Sequence, residues 1–570
     1  MTSLEPEETE GAPERRRVTA RQVVEWSART TAGIVTAAIA GGVAFASLFF
    51  VPPTWSVDAP SVVVTPQPAG TTLVCAGSVL RLADDSGEGA SQASAIGEPT
   101  LALSIADAID GGAELRRIAT TDAGTGDTAQ APSVVTAPPG DLSQVAGGIE
   151  VQQLATGSID GLVASPCTTP SLRSWVVGGA TTLGRTSILT LTNPTDVEST
   201  VDLRLYGESG EIDAPGMSGI VVPPNSQRII PVNGLAVDLV APVIQISAQG
   251  GAITAALQQS IVRGLDAGGV DLVPAQEPTN DLVVTGIRVA SQSELQAMTK
   301  ATVDEDDVIP VLRLLAPGTS STEALISIVP LGSTIADAAV AGDDHAGDDL
   351  EHDHGEVAEG APQPRQFTAR LTGGIVSELR LTGLPAGEYS VFISSPEPIV
   401  GAVRTATIDA RVAAAPPVVD PAQPQQQAPA QDNDPFSSGP VDAPAGGTVS
   451  TPSAPVVAAS EHVVDFAWYS PAAALGDIAG SAVPEGFTTT LAIANPGAEE
   501  RTVQLDAANA EAIVVPAGGW ATVPLEAAGA VILRGAEGLS AAITVHGTGL
   551  IAQATLQPPA QLARPVTVFP

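Results

Sequence analysis

Two stretches far apart in the chain read almost alike: SILTLTNP, ending at Asn193-Pro194, and TTTLAIANP, ending at Asn495-Pro496. Each alternates polar and apolar residues, as a half-buried strand does. Proline has no amide hydrogen and the asparagine side chain stabilises turns, so Asn-Pro ends the strand. A third stretch, ALISIVP, ends at Val329-Pro330 and lacks the asparagine. A second strand follows in two copies, Ile220-Val221-Val222-Pro223-Pro224 and Ile513-Val514-Val515-Pro516. A hairpin then recurs four times: VQQLATGSIDGLVA around Ile159, IQISAQGGAITAAL around Ile253, VFISSPEPIVGAV around Ile399 and ITVHGTGLIAQAT around Ile551. Asn193 precedes Ile253 by 60 residues and Asn495 precedes Ile551 by 56. The pattern is that of a repeat protein built from β-rich units.

Units of this length, with short strands and frequent turns, predict a mostly β fold of tandem immunoglobulin-like β-sandwiches. Gly and Pro number 57 and 48 among 570 residues, which suits many turns. The third unit adds LTGLPAGEYSV, with Tyr389 placed like a tyrosine corner or, equally, as an ordinary buried strand tyrosine. The expected units are 57–170, irregular and with long loops, then 171–280, 281–412 and 461–570. Between the last two, residues 413–460 are rich in Pro and Gln. Such a composition cannot bury a core, so a disordered tether is expected, leaving the final unit mobile.

No charged residue occurs between Arg29 and Asp58. Within that gap, residues 30–51, TTAGIVTAAIAGGVAFASLFFV, are long enough as a helix to span a bilayer, at about 33 Å. Pro52 and Pro53 end the helix, and Trp26 and Trp55 flank it. Arg15, Arg16, Arg17, Arg21 and Arg29 precede it, and the next basic residue is Arg81. The positive-inside rule then predicts a cytoplasmic tail at 1–29, a single-pass anchor and an extracellular ectodomain at the cell membrane. The rival reading is a signal peptide cleaved after Ala44-Phe45-Ala46. The long tail and the apolar residues beyond that point favour the anchor.

Charge excludes one function class. Acidic residues number 63 against 24 basic, a net charge of -39, so no basic face exists for nucleic acid beyond the N-terminal tail. Lys300 is the only lysine, a bias typical of GC-rich genomes. Cys75 and Cys167, both beyond the apolar segment, make an even count in an exported region and predict one disulfide.

Candidate chemistry is sparse. DDHAGDDLEHDHGE, Asp343 to Glu356, places His345, His352 and His354 beside Asp353 and other acids. Imidazole with carboxylate suits zinc, nickel or copper. The bland reading is a solvated acidic loop, and it is preferred. Asp304-Glu305-Asp306-Asp307 lacks the alternating ligands and turn glycine of an EF-hand and reads as a solvated turn. His462 and His546 have no accompanying nucleophile motif. Trp175 and Trp468 precede repeated strands and read as core, which leaves Trp520 as the one candidate platform for a sugar.

Residues 165–226 resemble a known family. Cys167, Trp175 with Gly178-Gly179, the strand before Asn193-Pro194, and the Val-Pro strand after Asp213-Ala214-Pro215-Gly216 are similar to actinobacterial membrane-anchored secreted proteins catalogued as domain of unknown function 5719. The resemblance implies an actinobacterial envelope location and carries over no functional residue. The expectation is a non-enzymatic envelope protein, structural or binding another envelope protein, without a cofactor. The alternative is a module for cell-wall glycan or for a metal held by His345, His352, His354 and Asp353.

Overall fold

The computed structural model describes residues 33–42, 62–64 and 566–568, and residues 70–558 apart from 83–92, 110, 121–130, 157–158, 265, 301–304, 343–360, 409–463 and 508–510. Two compact units divide the chain. The smaller contains residues 1–66 and 565–570. In it, Val62–Val64 pairs antiparallel with Val566–Val568. Residues 33–42 are helical, with Ile34, Val35 and Ile39 exposed. The rest of the expected span, 30–32 and 43–51, lies outside the described residues. Among the described residues, no helix is long and apolar enough to cross a membrane.

The larger unit, residues 67–564, is mostly β and holds several sheets. Four strands in each sheet of its second repeat match the four of the last, and Gly210–Ile212 and Ala119–Thr120 are additions to the second. One sheet of the second repeat runs Arg173–Val177, Val243–Gly250, Ser199–Gly207, Ile220–Val222; one sheet of the last runs Ile478–Val483, Gly529–Arg534, Arg501–Asp506, Glu511–Val515. The partner sheets run Asp266–Pro274, Thr254–Arg263, Arg185–Asn193, Ser226–Pro231 and Leu550–Thr555, Ser540–Gly547, Thr488–Ala494, Trp520–Leu525. In each repeat the two sheets share one buried core.

The Asn-Pro signature acts identically in both. Asn193 Nδ2 donates to Val197 O at 2.8 Å and Val222 O at 3.1 Å, and its Oδ1 accepts from Thr195 N at 3.0 Å. Asn495 Nδ2 donates to Glu499 O at 2.7 Å and Val515 O at 3.3 Å, and its Oδ1 accepts from Gly497 N at 3.0 Å. One amide therefore closes the turn and ties it to the Ile-Val-Val strand.

The hairpin equivalence does not hold. The strands around Ile159 and those around Ile551 are antiparallel partners. Around Ile253, Val243–Gly250 and Thr254–Arg263 belong to opposite sheets. The counterpart of Ile253 is Leu539: Ser171 N donates to Ile253 O at 2.8 Å, and Leu475 N donates to Leu539 O at 2.7 Å. The match of 60 and 56 residues was coincidental, because alternating apolar strands of one length resemble one another in any sheet. Around Ile399 there is no turn, since Gly387–Ile408 is one strand of 22 residues. Its first half pairs with Thr322–Pro330 and Thr279–Val289, and its second half with Val311–Leu315.

Four strands, labelled β1 to β4, decide the architecture: β1 (Asp160–Pro166), β2 (Asp266–Pro274), β3 (Val464–Tyr469) and β4 (Leu550–Thr555). Each is the edge of its own sheet. Strands β1 and β3 each pack against both β2 and β4, so the four close a ring. Burial on both faces explains why β1 and β3 are buried along their whole length instead of alternating. The ring joins the first sheet to the last: Ile149, Val151, Leu162 and Ala164 share a core with Leu491, Ile493 and Ile543.

Strand β3, assigned on sequence to the final sandwich, completes the sheet of the third repeat. It pairs with the end of Gly387–Ile408, and Ile408 lies opposite Val464. The Pro/Gln segment, the expected tether at 413–460, lies outside the described residues; the described residues on either side of it, Ile408 and Val464, are neighbours in one sheet. The final repeat belongs to the same compact unit as the others.

Candidate functional site

The centre of the ring is polar. Asp465 on β3 is fully buried, and its Oδ2 accepts from Leu162 N of β1 and Ile551 N of β4, both at 3.1 Å. Asp271 on β2 accepts from Trp468 N of β3 at 2.6 Å and from Leu272 N at 2.8 Å. Two carboxylates thus hold amides on all four strands. Gly161 and Gly269 give Asp465 its room: a Cβ on either would lie 2.8 and 3.0 Å from Asp465 Oδ1, at φ values of +150° and +103°. Burial pushes the Asp271 carboxyl up to about 7 against the pull of its two amide donors. Burial raises Asp465 well above the usual carboxylate range, and the neighbouring Asp271 adds to the rise.

Trp468 extends this centre outward. Its indole Nε1 donates to Gln259 Oε1 at 2.6 Å, and the Arg313 and Arg404 guanidiniums lie 4.6 and 6.0 Å from its ring centroid. Arg313 is only 1% exposed. It bonds Glu378 through Nε and Nη2 at 3.0 and 2.8 Å, and reaches the carbonyls of Gly179, Pro242 and Val240 in the second repeat. Asp307 takes Arg185 at 2.6 Å, Arg263 at 3.2 Å and Arg404 at 3.4 Å. Burial alone raises its carboxyl, but the guanidiniums of Arg404, Arg185 and Arg263 outweigh burial and hold it below the ordinary value. Asp307 is thus a buried ionic staple between repeats, and the expected solvated turn is corrected there.

A second polar cluster clamps the segment after Cys75. Gly77 N donates to Glu150 Oε2 at 2.8 Å, Val79 N to Gln152 Oε1 at 3.0 Å, and Leu80 N to Gln258 Oε1 at 2.7 Å. Gln258 Nε2 returns a bond to Leu80 O at 2.6 Å. Burial pushes Glu150 up to about 7. The Cys75–Cys167 disulfide is formed, closing a separation of 92 residues with both cysteines buried.

The expected site residues are distributed as follows. His345, His352, His354 and Asp353 lie outside the described residues, as does His462. Among the described residues, no group of three or more His, Cys, Asp or Glu is arranged to hold a metal. Trp520 is no platform: it is buried, and its Nε1 donates to Val329 O at 3.0 Å. Trp175 and Trp468 are core residues. Tyr389 is buried, and its hydroxyl donates to Pro385 O at 2.7 Å. A cleft lined by Val289, Leu295, Val308, Pro310, Leu381 and Leu384 has room for about 40 Å³, the scale of a water or two. Asp271 and Asp465 do not stand out in the sequence, being two among 63 acidic residues. The available signal was a lone aspartate inside an apolar strand, in GVDLVP and VVDFAWY.

Residues 122–362, less than half of the chain, match a family described as a family of unknown function (DUF5719). The match contains the stretch that carries the resemblance and all of the second repeat, and it ends before the strand Arg365–Leu371. No curated protein and no solved structure gives a significant match to the chain.

Proposed function

We propose that this chain is a non-enzymatic, extracytoplasmic envelope protein, anchored by one N-terminal helix at 30–51, whose repeats form a single stiff body for a structural or protein-binding role. The observation that carries this reading is the closed ring β1–β4. It fuses four sheets into one unit and devotes the most strongly perturbed carboxyls to main-chain amides. Those carboxyls are spent on holding strands together, which is a scaffold's use of them. Immunoglobulin-like units agree with the paired sheets around shared cores and with the Tyr389–Pro385 bond, which has the form of a tyrosine corner. The apolar stretch and its arginine asymmetry support the anchor, an N-terminus in the cytoplasm and an ectodomain outside. The resemblance supports an actinobacterial envelope. The glycan-binding alternative has lost its one sequence candidate, Trp520.

Protease added to intact, wall-stripped cells tests the address. The ectodomain should be digested and the 1–29 tail spared. A soluble mature chain beginning at Ser47 overturns the anchor. Chemical cross-linking in intact cells tests the role: a defined envelope protein captured reproducibly on the ectodomain supports binding.

A further inference from the structure

The two central aspartates occupy a position that scaffolding alone does not require. Backbone amides of β1, β3 and β4 could be satisfied by neutral acceptors, as Gln152 and Gln258 do around residues 77–80. Here two acids stand together on facing strands, enclosed by glycines and strand backbone. Both cross-strand bonds to Asp465 fall on Oδ2 and none on Oδ1. That asymmetry suits a protonated Asp465, with the hydroxyl on Oδ1 and both accepted bonds on Oδ2; at Asp271 each oxygen accepts an amide.

We propose that Asp271 and Asp465 form a proton-operated lock on the ring: protonation holds β3 closed against β1, β2 and β4, and loss of the protons loosens this seam. The groups that bear on the pair are few. The charge of Asp271 acts on Asp465, and Asp160 adjoins Gly161 on β1. From β3, Tyr469 lies within the influence of Asp271 and of Arg288. On β4 the nearby polar residue is the neutral Gln553, which donates to Thr285 O at 2.9 Å. Arg404 and Arg313 stand across the Trp468 ring and are engaged with Asp307 and Glu378.

The direction follows from linkage. A carboxyl that binds its proton more tightly in the closed ring than in water stabilises the ring fully at low pH. This contribution is lost as pH rises from the free value of about 4 through the closed-state value. For Asp271 the window therefore runs from about 4 to about 7. Within it, each proton released on opening raises the opening constant about tenfold per pH unit. The lock is tightest in an acidified medium.

Amide hydrogen exchange on the full chain, at pH 5, 6 and 7 and corrected for intrinsic rates, tests this. The opening constants at Leu162, Trp468 and Ile551 should rise about fiftyfold from pH 5 to pH 7 for one linked proton, the rise levelling off as pH reaches the closed-state value. Amides of Thr195 and Gly497, held by asparagines, should rise less. Asp465→Asn keeps the accepting oxygen, Asp271→Asn keeps one of two, and both remove the titration, so each should flatten the pH dependence at the seam. If Asp465→Asn does not fold, Asp271→Asn and the wild-type profile decide the matter. A seam whose corrected exchange is unchanged between pH 5 and pH 7 overturns the proposal. So does an Asp271→Asn variant that keeps the full wild-type slope.

Discussion

Replacing Asn495 by alanine should destabilise the protein by about 3 kcal/mol. The side chain is buried and makes three hydrogen bonds: two donated, to Glu499 O and Val515 O, and one accepted, from Gly497 N. A net value of about 1 kcal/mol per bond gives about 3 kcal/mol, and any carbonyl left buried without a donor adds about 1–3 kcal/mol. Relaxation of the exposed turn to water offsets part of that. Asn193 makes the equivalent bonds and accepts one more from Thr195 Oγ1 at 2.7 Å, so it should cost about 4 kcal/mol; because the two lie in different repeats, the double variant should lose about the sum, roughly 7 kcal/mol. Asn495→Asp keeps the shape but turns the donor into an acceptor facing two carbonyls, and should be worse than alanine. Urea titration followed by tryptophan fluorescence measures these changes. A loss below about 0.5 kcal/mol for Asn495→Ala, or an aspartate as stable as the asparagine, refutes the assignment of the amide as the clasp of the turn.

Other outcomes follow from the same geometry. A specific protease site inserted within residues 409–463 should yield two fragments that stay together in native size-exclusion chromatography, because β3 remains paired with residues 403–408; separation without denaturant would support the mobile tether. Asp307→Asn should lower stability by about 3–5 kcal/mol by leaving Arg185, Arg263 and Arg404 uncompensated, as read by thermal unfolding. Its carboxyl is held below the ordinary value, so its contribution is present above the unfolded value and lost as pH falls through the folded one, opposite in sign to Asp271. The Cys75–Cys167 bond should resist reductant until denaturant is added, and serine at both positions should cost up to about 4–5 kcal/mol; rapid thiol labelling of the native chain would contradict its burial.

Local features were legible in the sequence because their causes are local. Alternation marked strands, and Asn-Pro marked their ends with the right chemistry. An even cysteine count in one region marked the disulfide. Tyr389 was narrowed to two roles, and its bond to Pro385 O is the one a tyrosine corner makes. The hairpins failed where the decision was non-local. Whether a chain leaving Gly250 pairs back or crosses to the facing sheet depends on which surfaces are already covered, and both routes need the same alternating residues. Trp520 failed likewise: after two glycines it reads as exposed, and it is buried by Val329 from another repeat.

By itself, the sequence determined a mostly β, acidic chain of repeated units with a disulfide, because period, turn chemistry and composition are properties of neighbours along the chain. Tertiary structure alone decided that the units close into a ring, that β3 belongs to the sheet before it, and that two aspartates among 63 acids lie at the centre. The physical reason is that burial and pairing depend on residues hundreds of positions apart. Leu162 and Asp465 meet across a separation of 303, and no window along the sequence contains both.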